Sequence, residues 1–374
     1  LARRVAGLVA PNPAVGCVLV KDGRVVGRGW TAPGGRPHAE TEALKRAGEQ
    51  ARGATAYVTL EPCCHFGRTP PCTEALIKAG IAACVTAKVD PDQRVSGGGL
   101  ARLRAAGINC RVVPTPAVEA LLEGYCRRQA ANRPWVTLKL ATSLDGCIAA
   151  GNGHSQWITG PLARTYAHRL RHDHDAIMVG AGTVIQDNPA LTCRLPGVTG
   201  ADPVRVVLDR RLRIEAGMAM FSGAIPAAIY TRQPLEQPAA GAWVQRAQRQ
   251  RAAGVELRQI SARLDDEATA EMVNTTDATW ALQDLAQRGA NRVLVEGGGQ
   301  LAATLINAGL VDELIMIRAP IAIGGDGLSA IGALGLMRVD QAPRWRQIDG
   351  FTLGADRVDI FAPVHANAAG AVSA

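Results

Sequence analysis

Hydrophobic and polar positions alternate along the first part of the chain in a way that predicts strands followed by helices. Strands are predicted over 15–20, 24–27, 56–60 and 82–87, and helices over 39–51, 73–79, 100–106 and 118–131. Asp22-Gly23 between the first two apolar runs is a strong hairpin signal. Because strands alternate with helices, this part is predicted to be an α/β domain of two or three layers.

The second part of the chain repeats the alternation. Strands are predicted over 136–140, 176–179, 204–208, 227–230, 292–295 and 313–317, and helices over 161–171, 279–288 and 301–308. Residues 233–270 are polar and are predicted to be irregular. This part is therefore also expected to be α/β.

Prolines and a polar run separate the two parts. Pro114 and Pro116 precede the helix predicted over 118–131, and Asn132-Arg133-Pro134 follows it. Since 374 residues exceed what one hydrophobic core usually supports, two domains are expected. We place the domains at 1–131 and 135–364, with a disordered Ala/Gly-rich tail at 365–374.

Composition narrows the class of protein further. Hydrophobic residues make up 47% and charged residues 20%, as in ordinary globular proteins. The apolar stretch from Val5 to Val20 is interrupted by Pro11-Asn12-Pro13, so neither a membrane helix nor a signal peptide is expected. Nine cysteines, an odd number spread over a long chain, favour a reducing compartment over a disulfide framework. We therefore expect a cytoplasmic protein.

The net charge of +8 does not identify a partner. The 41 Lys and Arg residues are spread along the chain without a basic run. Anionic small molecules suit this pattern, and so does a solvated basic surface without a function. Charge alone decides nothing here.

One group of residues has the composition of a catalytic zinc site. His38 and Glu40 lie at the start of a predicted helix, while Cys63 follows Pro62 at a strand end and Cys72 begins another helix. One His and two Cys leave the fourth tetrahedral position of zinc open for water, as in catalytic sites. Glu40 is then placed to act as the acid/base that carries a proton from the attacking water to the leaving amine.

The signature H-x-E…P-C…C is that of the zinc deaminases that act on nucleobases. His-x-Glu alone is nearly uninformative, and the ligand residues could instead be an ordinary histidine and packed thiols. The joint pattern is much rarer. Cys64 competes with Cys63 as a ligand, and Cys63 is preferred because it directly follows proline.

Three longer blocks make the resemblance specific: Pro11-Asn-Pro-Ala-Val-Gly16, Pro37-His-Ala-Glu40 and the run from Tyr57 to Cys72. They resemble the bifunctional diaminohydroxyphosphoribosylaminopyrimidine deaminase/aminouracil reductases of riboflavin synthesis. In most nucleobase deaminases two residues separate the cysteines, whereas here eight intervene. The resemblance implies a cytidine-deaminase-like three-layer fold with one zinc per chain, and substrate contacts from Asn12, His65, Arg68 and Asp90. Without it, Asn12 could be a turn residue and Arg68 a surface charge.

Short motifs of the second part are similar, in order and spacing, to the reductase domain of the same family. They are Lys139-Leu-Ala-Thr-Ser-Leu-Asp-Gly146, Ser155-Gln-Trp-Ile-Thr-Gly160, Val179-Gly-Ala-Gly-Thr-Val184, Asp187-Asn-Pro-Ala-Leu-Thr-Cys-Arg194 and Glu296-Gly-Gly-Gly299. The resemblance implies a dihydrofolate-reductase-like fold. A glycine-rich turn between strand and helix can hold a phosphate, but the Rossmann fingerprint and its ribose-binding acid are missing.

The resemblance also implies roles in the reductase part. NADPH contacts are expected from Thr142, Trp157, Thr183, Asp187, Gly298 and Gly299. Substrate contacts are expected from Ser155, Arg171, Leu191, Arg194 and Glu296, with Arg171 and Arg194 as phosphate clamps. Lys139 and Glu296 are expected near the carbon that accepts hydride. Lys139 could instead face solvent from its strand, and Trp157 could be ordinary core.

The implied activity has two steps on one phosphorylated pyrimidine: zinc-dependent hydrolytic deamination, then NADPH-dependent reduction of the ribosyl group to ribityl. A nucleic-acid base deaminase is the alternative enzyme, but aromatic residues are only 4% and offer few stacking platforms. A non-catalytic protein with a structural zinc is disfavoured by the open ligand set and Glu40. We expect no nucleic-acid or membrane partner, and a homo-oligomer, either a dimer or a tetramer.

Overall fold

The computed structural model describes residues 1–67, 69–198, 202–235, 241–262 and 268–364. The chain divides into two compact units: Leu1–Pro134 with Leu285–Asn291, and Trp135–Asp284 with the chain from Arg292 onward. Residues 285–291 therefore belong by their contacts to the first unit, although the sequence places them in the second half. Within the described ranges, no helix has both the length and the apolar character needed to cross a bilayer.

A five-stranded sheet organises the first unit. Its strands are β1 (Gly16–Lys21), β2 (Arg24–Trp30), β3 (Thr55–Val58), β4 (Ala83–Thr86) and β5 (Asn109–Val112). The order is β2-β1-β3-β4-β5. Strand β1 pairs antiparallel with β2 and β3, whereas β3, β4 and β5 are parallel. Its described residues include the helices α1 (Ala39–Ala47), α2 (Cys72–Ala79), α3 (Gly98–Ala105) and α4 (Pro116–Ala131).

Two glycines of β2 let α1 lie directly on the sheet. A Cβ on Gly27 would lie 2.4 Å from the Ala43 carbonyl oxygen, and one on Gly29 would lie 2.0 Å from that of Ala39. Any larger residue would push the helix away. Since His38 immediately precedes this helix, the close packing fixes the position of His38 relative to the sheet.

A nine-stranded sheet organises the second unit. Its strands are β6 (Trp135–Thr142), β8 (Ala176–Gly180), β9 (Val204–Leu208), β10 (Ala227–Thr231), β11 (Glu256–Gln259), β12 (Arg292–Glu296), β13 (Glu313–Arg318), β15 (Trp345–Leu353) and β16 (Asp356–Pro363); β7 (Cys147–Ala149) pairs with β14 (Leu328–Ser329) separately. The order is β11-β10-β9-β8-β12-β6-β13-β16-β15. The strands from β11 to β13 are parallel, and β16 and β15 continue antiparallel.

The helices of this unit are α5 (Pro161–His172), α6 (Ala181–Asp187), α7 (Ala242–Ala252), α8 (Ala270–Gln287) and α9 (Gly299–Asn307). Apolar side chains of the parallel strands form the core, and Ile177, Val179, Val207, Ile229 and Leu294 are each fully buried. Continuous apolar runs are expected where both faces of a parallel sheet are covered.

The α/β prediction is confirmed in both units, and every predicted strand has an observed counterpart. The prediction that 233–270 is irregular is wrong, because that stretch contains α7 and β11. Arg-rich α7 buries only Ala247 and Gln250, so its apolar face is too narrow to be recognised from the sequence.

Other elements were not predicted. The antiparallel hairpin of β15 and β16 was missed because its residues mix polar and apolar types at a sheet edge, where one strand is mostly exposed. Helix α1 ends at Ala47 rather than Ala51, since Gly48 has φ of 55° and only a 3-10 turn follows. Helix α8 begins nine residues before its predicted start. The predicted tail, 365–374, lies outside the described residues.

Candidate active sites

His38, Cys63 and Cys72 form the metal-ligand cluster of the first unit. Their ligand atoms all lie within 4.8 Å of one another. His38 Nδ1 is 3.3 Å from Cys72 Sγ and 3.6 Å from Cys63 Sγ. On a tetrahedral zinc, with Zn–N of about 2.0 Å and Zn–S of about 2.3 Å, an N and an S ligand lie about 3.5 Å apart. The three side chains therefore fit zinc.

Backbone contacts hold the cluster in place. His38 precedes α1, Cys72 is the first residue of α2, and Cys63 follows β3. The Cys72 N–H donates to Cys63 Sγ at 3.3 Å, and the Thr73 hydroxyl donates to the Cys63 carbonyl at 3.2 Å. The Cys64 thiol instead donates to the Arg94 carbonyl at 3.7 Å. The cluster thus includes Cys63 and not Cys64.

Hydrogen bonding within the cluster gives the two thiols very different pKa values. A hydrogen bond from Cys72 is the main cause that lowers the pKa of Cys63 to about 4, with His38 assisting. The same hydrogen bond, together with burial, raises the pKa of Cys72 well above its usual value. Thiolate is the form that binds metals, so Cys63 is ready to act as a ligand.

Glu40 lies in the first turn of α1, two residues after His38, and is only 4% exposed. Burial, reinforced by the negative charge of Cys63, raises the pKa of this carboxyl to about 7. A buried carboxyl of this kind suits proton transfer near neutral pH.

Glu61 is a buried residue of this region that the sequence analysis missed. Its carboxylate accepts hydrogen bonds from the backbone N–H groups of Asp90, Gly97 and Leu100, at 3.1, 2.9 and 2.9 Å. It thereby fastens the segment that carries Cys63 to the start of α3. An acidic residue in the loop that follows a strand, here three residues after the end of β3, is the signal that could have revealed it.

The expected substrate contacts of the first unit differ in their surroundings. Asn12 donates from Nδ2 to the Gly35 carbonyl at 2.6 Å, so its amide braces the loop before His38. His65 is half-buried, and its Nδ1 has no hydrogen-bond partner among the described residues. Arg68 lies outside the described residues.

Asp90 is buried, and its Oδ1 accepts hydrogen bonds from the Tyr125 hydroxyl at 3.0 Å and the Asp92 N–H at 2.9 Å. Burial raises the pKa of Asp90 to about 6. Tyr125 on α4 was not predicted as part of this site.

A cavity of about 910 Å³ lies in the second unit. This volume is at the upper end of ligand pockets. Ten of the expected reductase residues line it: Lys139, Ser155, Trp157, Arg171, Thr183, Asp187, Leu191, Arg194, Glu296 and Gly298. The structure therefore brings together residues that are far apart in the sequence.

An ion cluster of three side chains lies on the wall of this cavity. Arg171 donates to Glu296 through Nε at 2.7 Å and Nη2 at 3.0 Å, and through Nη1 to the Thr192 carbonyl at 3.0 Å. Lys139 Nζ lies 3.9 Å from the same carboxylate. The two-pronged side of Arg171, which was expected to clamp a phosphate, is thus occupied by Glu296.

Charge pairing outweighs burial at Glu296. Burial alone would raise the pKa of this carboxyl, but the charges of Arg171 and Lys139 hold it at about 2. Burial lowers the pKa of Lys139, an effect that Glu296 opposes. The Lys139 side chain is 14% exposed, so the alternative of a solvent-facing strand residue is wrong.

The glycine turn before α9 is held by side chains and neighbouring backbone. The Gly298 N–H donates to the Thr183 hydroxyl at 3.2 Å. A Cβ on Gly299 would lie 2.5 Å from the Ser329 carbonyl oxygen, so this glycine is needed for packing and does not line the cavity. Thr142 also lies outside the lining; it is fully buried, and its hydroxyl has no partner within the described part of the chain.

Arg164 and His168 are polar side chains of α5 that line the cavity and were not predicted. The Arg164 guanidinium lies 4.7 Å from the ring centroid of Trp157. Trp157 is 67% exposed, so its interpretation as ordinary core is wrong. Residues 164, 168 and 171 recur at helical spacing, and this signal could have identified both missed residues.

Comparison with known proteins agrees with this division. The family model described as the cytidine and deoxycytidylate deaminase zinc-binding region matches residues 1–88. The model described as the RibD C-terminal domain matches residues 134–358. The predicted fold class, a cytidine-deaminase-like domain followed by a dihydrofolate-reductase-like domain, is confirmed.

Similar proteins match over nearly their whole length. The riboflavin biosynthesis protein RibD of Escherichia coli is 38% identical over 358 residues, 92% of each chain. That of Aquifex aeolicus is 37% identical over 363 residues, 96% of this chain and 95% of the relative. A solved structure of RibD from Acinetobacter baumannii, 34% identical, has a TM-score of 0.83 and covers 98% of this chain and 96% of its own.

The crystal structure of a diaminohydroxyphosphoribosylaminopyrimidine deaminase/5-amino-6-(5-phosphoribosylamino)uracil reductase from Thermotoga maritima is 33% identical, with a TM-score of 0.81 over 97% of this chain and 96% of its own. Both family models match this chain in order, and relatives of this identity match it over nearly their full length. The chain therefore belongs to the RibD family of riboflavin biosynthesis proteins.

Proposed function

We propose that this chain catalyses the hydrolytic deamination of 2,5-diamino-6-(5-phosphoribosylamino)pyrimidin-4-one and then the NADPH-dependent reduction of its ribosyl group to ribityl. Membership of the RibD family makes it a bifunctional enzyme with a zinc-binding deaminase domain and an NADPH-dependent reductase domain. We assign the first activity to residues 1–131 and the second to residues 135–364. The observation that carries the proposal is the ligand cluster of His38, Cys63 and Cys72 beside buried Glu40.

In the deaminase site His38, Cys63 and Cys72 would hold the zinc. When bound, zinc supplies a nucleophilic water at neutral pH. Glu40 accepts a proton from the attacking water and delivers it to the amine that leaves as ammonia. Asn12, His65, Arg68 and Asp90 are the residues that we assign to the substrate.

In the reductase site NADPH supplies the hydride for the ribosyl 1′ carbon, and the ring oxygen that leaves this carbon needs a proton. We assign that proton to Lys139, whose ammonium lies in the cavity beside Glu296. Glu296 keeps the ammonium in place, and Arg171 in turn fixes both oxygens of Glu296. Arg171 is therefore a positioning residue in this scheme.

The remaining reductase residues are assigned to binding. Ser155, Leu191 and Arg194 would contact the substrate. Thr142, Trp157, Thr183, Asp187, Gly298 and Gly299 would hold the cofactor, directly or by shaping the wall of its pocket. The size of the cavity supports this assignment.

We further propose that the protein works in the cytoplasm as a homo-oligomer, a dimer or a tetramer. All nine cysteines are free, which suits a reducing compartment. Light scattering coupled to gel filtration tests the oligomer, and a mass of one chain at micromolar concentration would contradict it.

Activity is tested with the full chain, the phosphorylated diaminopyrimidine and NADPH. We expect ammonia release followed by loss of NADPH absorbance. Ammonia release from cytidine or from single-stranded nucleic acid, but not from this substrate, would contradict the proposal.

The zinc assignment is tested by metal analysis of two neighbouring cysteine variants. We expect one zinc per chain in the wild type and in Cys64→Ser, whose thiol lies outside the cluster. Cys72→Ser should lose most of its zinc, because two of three protein ligands do not make a stable site. Equal zinc contents of the two variants would contradict the ligand set.

A further inference from the structure

The face of α5 that lines the reductase cavity carries an imidazole with one nitrogen free. His168 is half-buried, and its Nδ1 faces the loop formed by Thr192, Cys193 and Arg194. Its Nε2 has no hydrogen-bond partner within the described part of the chain. Because His168 lines the cavity, Nε2 is the nitrogen that remains for a ligand.

The loop offers Nδ1 both an acceptor and a donor. The Thr192 carbonyl oxygen is 3.1 Å from Nδ1, and the Arg194 N–H donates toward the same nitrogen at 3.3 Å. Neutral imidazole can accept the N–H of Arg194 at Nδ1 and carry its proton on Nε2. Protonated imidazole can donate from Nδ1 to Thr192 and from Nε2 into the cavity. The ring therefore keeps a backbone partner in either protonation state.

The charges that face His168 favour the neutral form when no ligand is bound. Burial, followed by the nearby charges of Arg171 and Arg194, lowers the pKa of His168, and the Thr192 carbonyl and Glu296 oppose this only in part. Arg171 is already paired with Glu296. The Arg194 guanidinium lines the cavity and has no hydrogen bond or ion pair to any described residue, so it is available to an anion.

We propose that His168 joins Arg194, which the family resemblance already assigns to the phosphate, in binding the phosphate group of the reductase substrate, and that His168 takes up a proton when the phosphate binds. The inference rests on the proposed reductase function and adds a residue to its substrate site. A phosphate monoester has its second pKa near about 6 and is mostly a dianion at neutral pH. Its charge would offset the repulsion from Arg171 and Arg194 and favour the doubly protonated ring, which donates a charge-assisted hydrogen bond.

Binding of ribose 5-phosphate to the full chain at two pH values tests the proposal. The variant His168→Gln keeps a neutral donor but cannot take up a proton. At pH 6.0 we expect the wild type to bind about tenfold more tightly than the variant, the difference between a charge-assisted and a neutral hydrogen bond. At pH 8.5 the two dissociation constants should be within about twofold. Titration of the phosphate affects both proteins equally and therefore cancels in the ratio of their dissociation constants.

Calorimetry in two buffers of different ionisation enthalpy measures the proton uptake directly. At pH 7 the wild type should take up more protons per ribose 5-phosphate than His168→Gln does. A merely structural role of His168 would weaken binding without changing this number. Ribose without the phosphate should show neither the affinity difference nor the proton uptake.

His172→Gln is the matched control, since His172 is on the same helix, pairs with Asp173 at 2.8 Å and does not line the cavity. It should bind as the wild type does. If His168→Gln has a lowered melting temperature, His168→Asn replaces it. A ratio of dissociation constants that is the same at both pH values, or no binding of ribose 5-phosphate, overturns the proposal. Failure of the wild type to oxidise NADPH with the deaminated substrate overturns the reductase function instead.

Discussion

Glu40 and Glu296 are the carboxylic acids at the centres of the two sites, and they have opposite surroundings. Both are withdrawn from water, and burial raises the pKa of each. At Glu40 that effect prevails, and the pKa reaches about 7. At Glu296 two cations reverse it and hold the pKa at about 2. Burial alone therefore does not set the protonation state of a buried acid; its charged partners decide whether it transfers a proton or stays ionised.

The sites also differ in what holds them together. In the deaminase site, hydrogen bonds from backbone N–H groups, one of them at the start of α2, fix the side chains of Cys63 and Glu61. In the reductase site the side chains of Arg171, Lys139 and Glu296 fix one another. A side-chain substitution should therefore disturb the reductase site more widely than the deaminase site.

The largest effect is expected from Glu40→Gln, which removes the proton carrier while keeping its size. Ammonia release should fall by at least about a hundredfold, as expected for loss of a general acid/base. Zinc content, measured on the same sample, should not change. Glu42→Gln is the control, because Glu42 is on the same helix and pairs with Arg46 at 3.2 Å. Near-normal ammonia release from Glu40→Gln would remove this residue from the mechanism.

Arg171→Gln should make Glu296 resemble Glu40. With one cation removed, the effect of burial is less well opposed and the pKa of Glu296 rises. The sign follows: the native pKa is low, so the wild-type carboxyl stays ionised down to about pH 2, and the variant becomes protonated at higher pH.

The pH profile of NADPH oxidation checks this change. The acid limb of kcat/KM should move toward neutral pH in Arg171→Gln. Arg169→Gln should keep the wild-type profile, since Arg169 pairs with Asp173 and does not line the cavity. An unchanged acid limb in Arg171→Gln would show that Arg171 does not govern Glu296.

The smallest expected effect is on stability and concerns Asp90. Its pKa is raised to about 6, so the native state binds the proton more tightly than the unfolded chain does. As pH rises from about 4 to about 6, ionisation of Asp90 therefore lowers the free energy of unfolding by up to about 3 kcal/mol, at about 1.4 kcal/mol per pH unit. Asp90→Asn lacks this penalty and can keep both hydrogen bonds, because they end on Oδ1.

Thermal denaturation at pH 4.0 and 7.5 measures the difference. As pH rises from 4.0 to 7.5, the melting temperature of Asp90→Asn should increase relative to that of the wild type. Asp92→Asn should show almost no such change between these pH values, because the hydrogen bonds from Arg94 lower the pKa of Asp92, and the stability they give is lost only below the usual pKa of an aspartate. If Asp90→Asn gains nothing on the wild type at pH 7.5, the ionised Asp90 carboxylate does not destabilise the native state and the prediction is wrong.

The sequence alone predicts a structural feature best when the residues that form it are close together in the chain. The motif from Tyr57 to Cys72 contains two metal ligands: Cys63 follows β3 and Cys72 begins α2. Local patterns in the sequence predict both of these elements. Helix α7 and the hairpin of β15 and β16 were missed, because their burial depends on distant parts of the sheet.

Pairings between distant side chains were equally out of reach. Arg171 and Glu296 are 125 residues apart, and nothing local shows that the arginine faces a carboxylate rather than a phosphate. Glu61 lies in the motif from Tyr57 to Cys72, but the three backbone N–H groups that donate to its carboxylate belong to residues 29 to 39 positions later. Long-range register decides such contacts, and short motifs do not contain it.

The central claim is that two separate sites, each with its own glutamate, perform the two steps. The most direct test records ammonia release and NADPH oxidation for the wild type, Glu40→Gln and Glu296→Gln, supplying the deaminated substrate for the second assay. Glu40→Gln should lose ammonia release and keep NADPH oxidation, and Glu296→Gln should show the reverse. Loss of both activities in Glu296→Gln, with native circular dichroism and full zinc content, would contradict the account and require one shared site.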